Sequence, residues 1–201
     1  MDIDKKAGLG VLASATAMVV GGQSALAQEI DWTGHYAGIS ANGNFGQMPW
    51  EDPDDYTLVS TPVLGGFVGM RWSGPGDIVM GAELSVQSRI GGDADGNGDS
   101  EDYAFSMLTD TKLSVGKPFG NALVYAFGGV SGTKMVASSD DRGYSAFGAN
   151  LGIGVDYMMS DSFSVGAEYT HRFMSGYEDR DQYDVSGAKA STVSLRAAFR
   201  F

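Results

Sequence analysis

Thr192-Val193-Ser194-Leu195-Arg196-Ala197-Ala198-Phe199-Arg200-Phe201, the last ten residues of the chain, decide how the rest is read. Side chains along a strand alternate between its two faces. Val193, Leu195, Ala197, Phe199 and Phe201 therefore make one apolar face, and Thr192, Ser194, Arg196, Ala198 and Arg200 make the other. A core strand of a water-soluble protein can alternate too, but it rarely ends the chain on an exposed aromatic. A strand with hydrocarbon on one side and a polar lumen on the other requires this pattern, with aromatics where hydrocarbon meets water.

Composition neither forces nor forbids that reading. The 201 residues suit one domain of moderate size. Mean hydropathy is slightly negative, as expected when strands face lipid only at every second residue. Thirty glycines beside five prolines point to turns and tightly curved strands rather than to disorder. With no cysteine, disulfides and thiolate metal sites are excluded. A formal charge of −12 argues against nucleic acid as a partner.

The N-terminus has the layout of an export signal. Lys5 and Lys6 precede a small-residue apolar run over 7–22, and Ala25-Leu26-Ala27 supplies an A-x-A cleavage site. Asp2 and Asp4 are unusual in such a basic region. The rival reading, a membrane anchor, meets Gly21-Gly22-Gln23-Ser24, which cuts the apolar run short of a span. Residues 1–27 are thus expected to be a signal peptide, with 28–201 as the mature domain.

Eight alternating segments follow. The first opens at Trp32-Thr33-Gly34-His35-Tyr36 and runs to Phe45, and the second covers 59–72. The third alternates most clearly, Ile78, Met80, Ala82, Leu84 and Val86 against Val79, Gly81, Glu83, Ser85 and Gln87. The fourth spans 103–116 and the fifth 122–136, where both faces are apolar and only Lys134 suggests which is inside. The sixth turns Phe147, Leu151, Ile153, Val155 and Tyr157 outward, and the seventh Phe163, Val165, Tyr169, His171 and Phe173. The C-terminal stretch makes eight, an even number that closes an antiparallel sheet without free edges. Connections alternate long and short; the short ones, 73–77, 117–121 and 158–162, carry turn-forming Gly, Pro, Asn, Asp and Ser. A soluble eight-stranded barrel would put its polar residues outside. Here the charges share a face with Gly and Ser, so the sequence predicts an all-β, eight-stranded antiparallel up-and-down transmembrane β-barrel.

Asp31-Trp32-Thr33-Gly34-His35-Tyr36-Ala37-Gly38 resembles the D-W-T-G-F-Y-x-G opening of small proteobacterial outer-membrane β-barrels, the opacity-protein and OmpA-barrel-like porin family. Residues 124–130 and 164–169 are similar to that family's Y-x-x-G-G-V and S-x-x-x-E-Y strands, and Phe201 resembles its terminal aromatic. His35 departs from the usual Phe. The resemblance implies residence in the Gram-negative outer membrane, contact with its lipid, and recognition of the C-terminal strand and Phe201 by the barrel assembly machinery. It implies no single biochemical activity.

Function has to be sought in the lumen and loops. Glu83, Arg89, Asp110, Lys112, Lys134, Asp156, Glu168, Arg172, Arg196 and Arg200 form the expected inward charge network. Eight strands enclose only enough room for their own side chains, so these charges should pair as a plug, with a low-conductance, cation-selective porin-like path as the alternative. The four long loops carry formal charges of −4, −5, −1 and −2, together the −12 of the whole chain. An acidic rim repels anions and attracts divalent cations or basic surface ligands, although such clusters are often only a solvated surface. Asp93, Asp95, Asn97 and Asp99, with Glu101, match the early positions of a calcium loop. Its closing position is Ala104 and no flanking helices are expected, so at most a weak calcium site follows; no other cofactor is expected. A lipid A-modifying enzyme would need a nucleophile beside a base. His171 and Ser175, with Glu178 nearby, would stand roughly 13 Å apart along a strand. No catalytic residue is assigned, and the chain is read as a non-enzyme with a structural or surface-interaction role.

Overall fold

The computed structural model describes residues 30–48, 56–58, 62–89, 103–137, 143–178 and 184–201. Among these residues nine strand segments are present: β1 (Gly34–Met48), β2 (Tyr56–Leu58), β3 (Pro62–Ser73), β4 (Val79–Arg89), β5 (Tyr103–Phe119), β6 (Ala122–Ala137), β7 (Gly143–Ser160), β8 (Phe163–Glu178) and β9 (Asp184–Arg200). Gly46 and Gln47 of β1 pair with β9 on one edge and with Leu58 and Thr57 of β2 on the other. β2 therefore continues the line of β3, and the two form one stave. Every stave is antiparallel to the next, and β1 closes on β9 through pairs such as Ser40 with Arg196. The result is the eight-stranded up-and-down barrel that the alternation predicts.

Burial is inverted relative to a water-soluble domain. Leu195, Leu113 and Ile153 are about two-thirds exposed, whereas Asp110 and Arg172 have no exposure at all. An apolar belt of this extent would drive aggregation in water; against hydrocarbon it is the stabilising surface. The expected alternation holds strand by strand, with Glu83, Ser85 and Gln87 inside and Leu84 and Val86 outside.

Several strand boundaries differ from the sequence reading, and the short connections show local reasons. β5 runs on through Lys117 and Pro118 to Phe119, because Gly120, at φ +59°, lets a two-residue turn with Asn121 close the hairpin. In the first connection Gly76, at φ +67°, takes the corresponding role, and Gly74 N–H donates to the Ile78 carbonyl at 2.7 Å. The first strand begins at Gly34 rather than Trp32. Trp32 precedes it and turns into the barrel mouth, 2% exposed.

That last difference bears on the two outward aromatic girdles expected from the sequence, Trp32, Tyr36, Trp72, Tyr157, Phe163 and Phe201 near the short turns and Tyr103, Phe105, Tyr144, Phe147 and Phe173 near the long loops. Tyr157, Phe163 and Phe201 do face outward near the short-turn end, and Trp72 is half-buried there. Trp32 and Tyr36 instead point inward, where they pack with charged side chains. Of the aromatics expected at the loop end, Phe147 and Phe173 are exposed. The side chains of Tyr103, Phe105 and Tyr144 lie outside the described set.

Candidate functional site: a charge-balanced lumen

Among the described residues, the inward faces of eight strands bring four cations and four anions into three tiers. Nearest the short turns, Arg71 on β3 pairs with Asp156 on β7. Its guanidinium carbon lies 4.6 Å from the Tyr36 ring centre, 5.5 Å from Trp32 and 5.7 Å from Tyr125. A guanidinium that stacks on ring faces while it pairs with a carboxylate is far better satisfied than an ammonium would be.

The middle tier is a four-membered ring of charge. Arg196 on β9 donates to both Glu83 on β4 and Glu168 on β8. Lys112 on β5 bridges the same two carboxylates, 3.3 Å from Glu83. Two phenols complete it, Tyr36 donating to Glu83 at 3.0 Å and Tyr125 to Glu168 at 3.2 Å. Phe67 and Phe127 cover the cations, with Arg196 4.0 Å and Lys112 4.8 Å from the ring centres.

The upper tier is the most enclosed. Arg172 on β8 grips Asp110 on β5 with two parallel bonds, Nε to Oδ1 at 2.8 Å and Nη2 to Oδ2 at 2.6 Å. Ser131 donates to Asp110 at 2.6 Å, and Arg172 donates to Thr192 at 2.6 Å, which hands on to Asn44. This bidentate geometry is the strongest form of ion pair a protein makes.

Glycines on neighbouring strands make room for the four rings. Tyr36 lies directly opposite Gly69, Phe67 opposite Gly38, Tyr125 opposite Gly154 and Phe127 opposite Gly152. A Cβ on any of these glycines would meet the ring at 2.3–2.5 Å, well inside contact. Each ring therefore lies across the adjacent strand instead of filling the axis, where the ion pairs sit.

Seven of the ten residues expected in the lumen are buried there: Glu83, Asp110, Lys112, Asp156, Glu168, Arg172 and Arg196. Lys134 is a correction, for it is exposed while Ser131 and Thr133 point inward. On β6 the polar signal was carried by Ser131 and Thr133, and the lysine belongs to the lipid-facing row near the loops. Arg200 stays at the mouth, half-buried, donating to the Asp161 carbonyl at 2.6 Å. The side chain of Arg89 is outside the described set. Sequence reasoning missed Arg71, although its place between Met70 and Trp72 puts it on the polar parity, and it missed the lumen role of Tyr36 and Tyr125.

The remaining candidates are more scattered. Asp93, Asp95, Asn97, Asp99 and Glu101 lie outside the described residues, and among the described ones no cluster of three His, Asp or Glu could hold a metal. His171 does not meet Ser175; its Nδ1 lies 2.8 Å from Ser191 Oγ on β9, and Tyr169 OH is 3.2 Å from the same oxygen. Among the described residues no carboxylate orients this histidine, as an activated nucleophile would require. The three groups satisfy one another's polar atoms on an apolar wall. At the mouth, Phe201 N–H donates to the His35 carbonyl at 3.0 Å, and their rings stack 6.2 Å apart. Asp31 accepts the Thr33 N–H at 2.8 Å, which holds its carboxyl below the usual range.

The outer membrane protein β-barrel domain family matches residues 13–201. Among solved structures, Neisserial surface protein A is similar at a TM-score of 0.53 and 12% identity, covering 84% of this chain and 98% of that one. The attachment invasion locus protein Ail of Yersinia pestis, in complex with the heparin analogue sucrose octasulfate, aligns at 0.52 and 17% identity, covering 84% and 99%. The outer membrane protein AlkL, determined in DMPC bilayers, aligns at 0.50 and 12%, covering 90% and 95%. At these identities the likeness is one of fold. No curated protein matches the sequence.

Proposed function

The chain belongs to the outer membrane protein β-barrel domain family, and from that premise we propose that it is a closed outer-membrane scaffold whose acidic loops meet a cationic partner at the cell surface. The observation that carries this reading is the lumen. Arg71, Lys112, Arg172 and Arg196 are matched by Glu83, Asp110, Asp156 and Glu168, and the Asp110–Arg172 pair is fully enclosed. Among the described residues the interior is charge-balanced and interlocked, which gives an ion nothing to follow.

The chain's net charge is then carried by its loop sequences, which sum to −12. A field of that sign draws in basic polypeptides and divalent cations and repels anions. Ail is described bound to a polysulfated heparin analogue; an acidic rim would turn such a polyanion away, so the partner sought here has the opposite charge. Within the second loop, Asp93, Asp95, Asn97, Asp99 and Glu101 would offer calcium a weak site.

The test uses the mature chain refolded into lipid. In a planar bilayer it should give no discrete conductance steps, with or without millimolar calcium. Vesicles carrying it should bind polylysine and not heparin, with binding lost near 1 M salt, where the Debye length falls to about 3 Å. Replacing Asp93, Asp95, Asp99 and Glu101 by their amides should weaken the polylysine binding. Cation-selective steps from folded protein would replace the scaffold reading with the channel one. Undiminished binding by the amide variant would remove the second loop from the role.

A further inference from the structure

The lipid-facing wall is not evenly convex. Across β5 to β9 the register sets Val115, Ala126, Ile153, Tyr169 and Val193 in one outward row, and Lys117, Val124, Val155, Ala167 and Leu195 in the next. Ala126 and Ala167 are the short side chains in these rows, and a groove of about 750 Å³ opens over them, walled by Val115, Phe119, Val124, Ile153, Val155 and Tyr169.

The groove has a direction. Lys117 stands three residues before the turn at Gly120, whereas Tyr169 stands seven beyond Ser162 at the next turn. The difference of four residues, at about 3.3 Å each, is a climb of roughly 13 Å along the strands. The groove thus climbs obliquely from the short-turn end to mid-strand, a length comparable with the roughly 15 Å of hydrocarbon in one leaflet. Its low end carries an exposed, outward-facing ammonium. Among the described residues the other outward-facing strand lysines, Lys134 and Lys189, lie at the opposite end of the barrel. Asp77, in the neighbouring turn, lines a separate cavity at the mouth together with Asp31 and Trp32.

We propose that this groove holds one glycerophospholipid of the periplasmic leaflet, with an acyl chain laid over Ala126 and Ala167 and its phosphate on Lys117. Charge and shape agree on that occupant. An apolar channel matches the chain, a cation at the hydrocarbon edge matches the phosphate, and lysine stems reach such an edge at little cost. An ordinary interfacial lysine would need no groove beside it.

Native mass spectrometry of the detergent-solubilised mature chain tests this, with dioleoylphosphatidylglycerol as the probe and dioleoylglycerol as its uncharged counterpart. One phosphatidylglycerol should remain bound after detergent is stripped, and dioleoylglycerol should not. Lys117→Gln should weaken retention about five-fold, the effect of one lysine at a lipid surface. Ala126→Leu with Ala167→Leu should abolish it by filling the groove. Ala149→Leu, at an outward position away from the groove, should leave it unchanged. All four positions face outward, and the heat-modifiable gel shift reports whether each variant has folded. Equal retention of both probes, or undiminished retention by Lys117→Gln or by the filled variant, would overturn the proposal.

Discussion

The Asp110–Arg172 pair gives the sharpest test of the lumen. Arg172→Met keeps most of the side-chain length and removes the charge. Asp110 would then keep Ser131 at 2.6 Å and Ser85 at 3.4 Å, but it would lose both guanidinium bonds. With neither partner exposed to solvent, the carboxylate cannot be rescued by bulk water. Removing one member of such a pair costs about 3–5 kcal/mol, because the survivor is a buried, uncompensated charge. The double variant Asp110→Leu with Arg172→Met removes both charges together and should recover most of that loss, since an apolar pair of similar volume is often neutral or better. The assay is urea unfolding in lipid vesicles followed by tryptophan fluorescence, with Trp32 buried at the barrel mouth as one reporter. The reasoning predicts a strongly non-additive cycle, with a coupling of about 2 kcal/mol or more. Two results would refute it: a single variant within about 0.5 kcal/mol of wild type, or a double variant as unstable as the two single losses combined.

Other perturbations separate the tiers. Glu83→Ala leaves Lys112 and Arg196 sharing Glu168 and should cost about 3 kcal/mol or more in the same assay; an unchanged midpoint would count against the middle tier. Gly154→Val puts a side chain where the Tyr125 ring lies, 2.4 Å from its Cζ, and overpacking of this kind should cost about 1–3 kcal/mol, seen as a lowered unfolding midpoint. Lys134→Gln, on the outward row, should change stability by less than about 1 kcal/mol; a loss as large as that of Glu83→Ala would place it inside after all. Protein recovered from the outer membrane should begin at Gln28, which N-terminal sequencing reads directly; a retained basic leader would refute the export signal.

What the sequence disclosed follows from what a period of two can and cannot carry. Where a strand alternates cleanly, as in 78–90 and 192–201, one polar parity was enough to place Glu83 and Arg196 in the lumen before any partner was known. Where both faces are apolar the rule has nothing to weigh. On β6 a single lysine near the loop end outvoted Ser131 and Thr133 and sent the reading to the wrong side. Aromatics mislead for a related reason. A girdle explains a Trp or Tyr near a strand end, so Trp32 and Tyr36 were read outward, although Tyr36 shares the parity of Ser40 and Asn42. The overlooked clue was glycine. Gly69 and Gly154 have no turn to make; each leaves a hollow on the inner wall, and a hollow opposite a ring marks where that ring lies. Arg71 follows from parity, since it stands between Met70 and Trp72 and so points towards the rings of Trp32, Tyr36 and Tyr125 at that mouth. The pairings themselves, Arg196 with two glutamates and Arg172 with Asp110, join strands far apart in sequence. They depend on how eight staves stagger as the barrel closes, a quantity that belongs to the sheet as a whole and to no single strand.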